Sequence, residues 1–300
     1  MIVVKELSKK IDHKQILDNI NLNIPKGSIY GIIGENGAGK TTLIRHLVGV
    51  YSGDLGFVEI NGMRVYENPD AKAKFVYIPD EFFGVFGRNI EDIKTLYQGI
   101  YPNFDENRYN KLLKMFKYTG FENFNKFSKG MKKQVMFILA LACKPEYLIM
   151  DEPFDGLDAH IRKLIWDILI KDVSERKMSI FISSHHLDEL DSMCDYIALI
   201  SKGKIIFEES LEKLKEDYHK IQVVLENGDE VYALEQELNV LSHQMIGRVH
   251  TLIVVGKIDE ICQVIAKYHP LVNEILPLSL EDIFIYTLGG KYDELKAVMD

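Results

Sequence analysis

Gly34-Glu35-Asn36-Gly37-Ala38-Gly39-Lys40-Thr41 gathers three glycines, a lysine and a hydroxyl into one short run. The run fits G-x-x-x-x-G-K-[ST], a loop whose backbone N–H groups turn inward around a triphosphate. Its setting suits that chemistry, because Ile29 to Ile33 reads as a strand and a helix begins at Thr41, with Leu43, Leu47 and Val48 on one face before Gly49 ends it. The helix N-terminus favours the anion, Lys40 reaches the β/γ-phosphates, and the Thr41 hydroxyl is a ligand for Mg²⁺. A second group, Tyr147-Leu148-Ile149-Met150-Asp151-Glu152, is an apolar strand ending in two carboxylates beside that loop. Asp151 is suited to hold Mg²⁺ through water, and Glu152 to act as general base on the water that attacks the γ-phosphate. An Asp-Glu pair alone is an ordinary solvated feature; beside a phosphate loop it is a catalytic one.

These groups need a parallel sheet to hold them. Tyr147 to Met150, Ile180 to Ser183 and Ile197 to Ile200 are short apolar runs, the pattern of parallel strands covered on both faces. Phe57 to Ile60, Asn61-Gly62 and Met63 to Val65 read as a hairpin within an antiparallel β subdomain, since Asn-Gly tolerates the positive φ of a tight turn. Residues from about 84 to 145 carry helical periods, such as Tyr109, Leu112, Leu113, Phe116 and Val135, Ile138, Leu139, Ala142, and form a helical insert. The charged stretch Glu208 to Lys220 marks a boundary, with a small α/β domain after it. That domain is expected to have a second hairpin turn at Asn227-Gly228, a strand at Thr251 to Val255, a helix from Ile258 to His269 stopped by Pro270, and a helix from Ser279, its N-cap, to Leu288.

Composition sets the outer limits. The chain has 300 residues, 47% apolar and 27% charged, which argues against a disordered or disulfide-stapled chain. A net charge of −9 leaves no electrostatic footprint for nucleic acid. Cys143, Cys194 and Cys262 are odd in number and far apart, as in reduced core positions of a cytosolic protein. The uncharged run Gln134 to Cys143 falls short of the roughly 20 apolar residues of a membrane span. The start MIVVKELSKK lacks a signal-peptide pattern, so the chain reads as soluble and unexported, with any membrane role supplied by a partner.

Further motifs follow in a fixed order. Phe127-Ser128-Lys129-Gly130-Met131-Lys132-Lys133-Gln134 is similar to the Leu-Ser-Gly-Gly-Gln signature of the ATP-binding cassette (ABC) transporter ATPases, matching at Ser128 and Gly130 and departing at Phe127, Lys129 and Met131. Phe154-Asp155-Gly156-Leu157-Asp158 resembles that family's D-loop, and Ile180-Phe181-Ile182-Ser183-Ser184-His185 its switch-histidine strand. The resemblance covers residues 1 to about 215. It implies an α/β P-loop ATPase with a parallel core sheet, an antiparallel β subdomain and a helical insert, followed by an accessory domain at 216–300.

For the site, the resemblance implies that Gly34, Glu35, Asn36, Gly37, Ala38, Gly39, Lys40, Thr41 and Thr42 bind ATP, with Ile11 where the family has an adenine-stacking aromatic. It makes Glu152 and His185 catalytic and Thr41, Asp80 and Asp151 ligands of Mg²⁺, Asp80 standing where the Q-loop usually has Gln. Ser128, Gly130 and Asp158 would act on ATP held by a second ATPase protomer, identical or not, the helix starting at Ser128 aiming its dipole at the γ-phosphate.

The implied partner is a transmembrane permease, holding the chain at the inner face of the cell membrane, with Phe82-Phe83-Gly84-Val85-Phe86 as either core of the insert or a groove for a short permease helix. Asp80, the signature variant and Leu278-Ser-Leu-Glu-Asp-Ile-Phe284 together resemble ATPase subunits of bacterial exporters of amphipathic peptides or antibiotics, including the subgroup encoded beside GntR-type repressors and, within it, phenol-soluble-modulin-type exporters. The alternative is a soluble ABC-type regulatory or translation-associated ATPase; those usually carry two cassettes, whereas this sequence has one phosphate loop and one signature. A chromosome-maintenance ATPase would place long coiled coil between the motifs, which this sequence does not.

Overall fold

The computed structural model describes residues 1–81 and 89–288. The Phe82 to Phe86 cluster lies outside the described residues. The chain divides into two compact units, Met1–His185 with Ala198–Glu208, and His186–Ile197 with Glu209–Asp300. The boundary expected near residue 215 falls inside a helix, Leu211–Asp217.

The first unit opens with β1 (Ile2–Ile11) and β2 (Lys14–Ile24), joined by Asp12 and His13, both at positive φ. That is the tight-turn geometry suited to the right-handed twist of the strands. Next come β3 (Ile29–Ile33), α1 (Lys40–Leu47), β4 (Leu55–Ile60) and β5 (Met63–Arg64). The β4–β5 turn is the Asn61-Gly62 pair at φ 51 and 77, as its residue types predict. Strands β2, β1, β4 and β5 form an antiparallel sheet in that order.

A short helix α2 (Pro69–Lys72) then leads to β6 (Phe75–Ile78). The helical insert follows as α3 (Ile90–Ile100), α4 (Glu106–Met115) and α5 (Lys129–Ala142). Helix α3 starts with a reciprocal Asn89/Asp92 capping box, and α5 starts with Ser128 as N-cap, its hydroxyl accepting the Met131 N–H at 3.2 Å. From Val135 to Ala142 every residue of α5 is buried, so this helix is the core of the insert.

After it come β7 (Tyr147–Asp151), α6 (Ala159–Arg176), β8 (Ser179–Ser184), α7 (Leu187–Asp191), β9 (Tyr196–Ser201) and β10 (Lys204–Ser210). The core sheet runs β10-β9-β3-β8-β7-β6, with β3–β8, β7–β8 and β6–β7 parallel. Strands β3, β7 and β8 are buried at every position, the consequence of being covered on both faces. Parallel pairing aligns their C-terminal ends, which gathers Ile33, Asp151 and Ser184 at one edge; ligands bind at such edges.

The second unit contains α7 and continues with α8 (Leu211–Asp217), β11 (Tyr218–Val224), α9 (Glu230–Glu237), β12 (Asn239–Ile246), β13 (Val249–Val255), α10 (Ile258–Ala266), β14 (Val272–Leu276) and α11 (Leu280–Leu288). From β11 to β14 the order is βαββαβ, and the antiparallel sheet runs β12-β13-β11-β14, a ferredoxin-like arrangement. Ile221, Val223, Leu252 and Val254 pack with Val231 and Leu234 of α9 and Ile261 and Ile265 of α10.

One expectation fails here. Asn227-Gly228 is not a hairpin turn, and neither residue takes a positive φ. Instead the Asn227 side chain accepts the Asp229 N–H at 3.2 Å and its carbonyl accepts from Glu230, which starts α9. Val231 and Leu234, three residues apart, need a helix to reach the core together. The hairpin of this domain lies at Gly247-Arg248, between β12 and β13. Helix α10 also stops at Ala266, ahead of the expected His269, while α11 carries the expected Ser279/Asp282 cap, with both reciprocal bonds present. Among the described residues, no helix is long and apolar enough to cross a membrane.

Candidate active site

The loop between β3 and α1 is shaped by its glycines. A Cβ on Gly34 would stand 2.3 Å from the Ile200 carbonyl, so no side chain fits where the loop leaves β3. Gly37 takes φ 81, a left-handed conformation that favours glycine, with open space around its Cβ position. Helix α1 begins at Lys40, one residue before the expected Thr41, with Gly39 as its N-cap and no side-chain cap. Its first N–H groups therefore stay available to an anion.

Lys40 is only 6% exposed, and its ammonium donates to the Gly34 carbonyl at 2.5 Å. It also pairs with Glu152 Oε1 at 3.3 Å. The other carboxylate oxygen of Glu152 meets His185 Nδ1 at 2.9 Å. Glu152 follows directly on β7 and His185 on β8, so the parallel register that joins these strands also brings acid and imidazole together. The structure thus brings Lys40 and His185, read from two separate motifs, to the carboxylate of Glu152, read from a third.

Asp151 is 1% exposed at the end of β7. Ser183 Oγ donates to its Oδ1 at 2.6 Å while accepting the Glu152 N–H at 3.0 Å. The sequence motifs give Ser183 no role; the signal that could have found it is a hydroxyl directly after the apolar run Ile180-Phe181-Ile182, and the structure buries it fully. Burial pushes the Asp151 carboxyl above the usual carboxylate range, and the charges of Glu152 and Asp80 add to the rise against hydrogen bonds from Ser183 and Thr41. A carboxyl raised in the folded state holds its proton more tightly there than in the unfolded chain. Stability is therefore lost as pH rises through the window from the ordinary value to the raised one. Asp151→Asn should melt at a higher temperature than wild type at neutral pH without added metal, and the difference should close as pH falls below the ordinary carboxylate range. Scanning calorimetry across pH checks this; equal midpoints at neutral pH would contradict it.

The remaining expected site residues are spread over several elements. Thr42 is half-buried on α1, its carbonyl accepting from His46 Nδ1 at 2.7 Å. Glu35 is half-buried, Asn36 exposed and Ala38 buried, all in the loop. Ile11 is half-buried at the tip of the β1–β2 hairpin. Ser128 is exposed, whereas Gly130 is buried, since a Cβ there would stand 2.3 Å from the Gly156 carbonyl. Asp158 is exposed and N-caps α6, accepting the Ile161 N–H at 3.0 Å.

Asp80, close enough to Asp151 for its charge to act there, also meets two lysines. Its Oδ1 lies 2.9 Å from Lys129 Nζ and 3.2 Å from Lys133 Nζ, both on α5. Hydrogen bonds from these two ammonium groups hold its carboxyl below the usual range even though partial burial opposes them. Neither lysine was assigned a role from sequence, since nothing local in a Lys-rich helix start points to a strand end about fifty positions earlier.

The pattern of the ABC transporter family matches residues 17–155. The ABC transporter ATP-binding protein YtrB of Bacillus subtilis (strain 168) is 31% identical over 293 residues, covering 97% of this chain and 99% of that protein. The bacitracin transport ATP-binding protein BcrA of Bacillus licheniformis is 30% identical over 319 residues, covering 97% of this chain and 98% of its own length. A solved ATP-binding subunit of an ABC transporter superposes with a TM-score of 0.67 at 27% identity, covering 72% of this chain and 92% of that one.

Proposed function

We propose that this chain, which belongs to the ABC transporter ATP-binding proteins, powers export of a peptide or antibiotic through a separate transmembrane permease. ABC cassettes hydrolyse ATP and work as dimers with permease subunits. The observation that carries the catalytic reading is the Glu152 carboxylate held between Lys40 and His185 at the mouth of the phosphate loop.

A triphosphate entering the loop competes with Glu152 for the Lys40 ammonium and draws it toward the β/γ-oxygens. Glu152, still oriented by His185, then has a free carboxylate oxygen to take a proton from water as that water attacks the γ-phosphorus and the bond to the β-phosphate oxygen breaks. The oxygen donors Thr41 and Asp151 suit a hard cation, and Mg²⁺ held there would neutralise charge on the phosphate oxygens. We read Asp80 differently from its sequence expectation: two ammonium groups already neutralise it, so it serves α5 and not the metal.

Ser128 and Asp158 are exposed and free to meet a second protomer, which supports a site completed across a dimer, whereas buried Gly130 contributes by letting the signature helix approach Gly156. A permease contact is supported by an open, mainly apolar groove of about 480 Å³, lined by Val48, Val50, Phe75, Tyr77 and Ile100. Val50 and Ile100 are more than half exposed there. An antibiotic or peptide cargo is supported by the likeness to the bacitracin transport protein. We read the ferredoxin-like unit as an accessory domain, since the phosphate loop, Asp151, Glu152 and His185 all belong to the first unit.

Purification of the tagged chain from detergent-solubilised native membranes should bring down a polytopic membrane protein. Recovery of the chain from the soluble fraction alone, with no membrane protein attached, would favour the regulatory or translation-associated ATPase instead.

A further inference from the structure

Lys133 is a charged side chain in a place where charge is costly. It is 3% exposed, and burial lowers its ammonium from the ordinary lysine range, with Asp80 opposing that shift. Lys129, Lys132 and Lys133 load the first turns of α5 with positive charge, at the end where the helix dipole favours anions, and no acidic residue sits in the first turn. Neutralising Asp80 would explain one lysine, and exposed Lys129 already does that at 2.9 Å. The buried lysine has a second partner, donating to the main-chain carbonyl of Glu152 at 2.5 Å.

The peptide at Glu152 needs such support. Glu152 has φ 43, the left-handed region that a residue with a Cβ enters only against strain. Three contacts hold its other groups: Ser183 Oγ accepts its N–H, Lys40 pairs with Oε1, and His185 meets Oε2. The Lys40 contact is the one ATP would take away. Lys133 then remains on the carbonyl, and it comes from α5, the helix that Ser128 caps.

We propose that Lys133 is the positioning residue of Glu152, its ammonium fixing the strained Glu152 peptide so that the carboxylate keeps its aim at the attacking water after Lys40 has moved to phosphate. Resting on the reading of Glu152 as general base, this ties the base of one nucleotide site to the helix whose N-terminus meets the partner protomer's nucleotide. Lys133 touches no reacting atom; it acts through Glu152.

The test is a double-mutant cycle on the full chain, with wild type, Lys133→Met, Glu152→Gln and the double variant compared by single-turnover hydrolysis of radiolabelled Mg-ATP and by calorimetric ATP affinity. Lys133→Met should slow hydrolysis by about 10 to 100-fold, the scale of a misaimed catalytic group, while ATP affinity stays within about twofold. In the Glu152→Gln background the same substitution should change the residual rate by less than about twofold, because the group it positions is gone. An equal fold-loss in both backgrounds, an unchanged rate, or affinity falling with the rate would overturn the proposal. A Glu152→Gln variant hydrolysing at the wild-type rate would instead reject the base itself. Lys133→Gln ends one bond short of the carbonyl and carries the same expectation; if neither Lys133 variant binds ATP, the residue serves folding and the proposal fails.

Discussion

Glu152→Gln is expected to slow ATP hydrolysis by about 10² to 10⁴-fold, the usual cost of losing a general base, while ATP still binds. The amide keeps the shape of the carboxylate and can still hydrogen-bond His185 Nδ1, now 2.9 Å from Oε2, but it cannot accept a proton from water. It also frees Lys40, whose ammonium lies 3.3 Å from the carboxylate, to serve phosphate alone, so nucleotide affinity should hold or rise. Phosphate release measured on the purified variant gives the rate. A rate within tenfold of wild type would move the base to another residue.

Lys40→Ala should weaken ATP binding by about 100-fold or more, on the scale of about 2 to 5 kcal/mol for removing one member of a buried charged pair. Lys40 is 6% exposed and brings the only ammonium that contacts both the loop, through the Gly34 carbonyl, and Glu152 among the described residues. Alanine therefore takes away the cation for the β/γ-phosphates and leaves Glu152 as an uncompensated negative charge where the γ-phosphate must come. Titration calorimetry reads the affinity directly, and an unchanged value would reject the role given to Lys40.

Much of this site was legible in the sequence because its parts are runs of neighbouring residues. Gly34 to Thr41 encodes its own turn geometry, and the apolar runs before Asp151 and His185 announce buried parallel strands whose ends must carry them. Contacts between elements were not legible. The bond from Lys133 to the Glu152 carbonyl joins a helix to a strand end, and the Asp80 ion pairs join that helix to a different strand end; no periodicity reports either. Family position makes Asp80 a metal ligand; that Lys129 and Lys133 also sit on its carboxylate is not visible in the sequence. In the second unit, Asn227-Gly228 has the composition of a hairpin turn, yet the helical spacing of Val231 and Leu234 decides the backbone there. The sheet order β12-β13-β11-β14 depends on pairings between distant strands, which local pattern does not specify.

We propose that ATP, gripped by the phosphate loop of one protomer and by Ser128 and Asp158 of another, holds an active dimer together. Light scattering of Glu152→Gln, with any partner ATPase that co-purifies, tests it most directly. With Mg-ATP the 34.5 kDa protomer should be replaced by a species of dimeric mass, while the same protein with ADP stays mainly monomeric. ATP bound at full occupancy with no increase in mass would contradict the shared site.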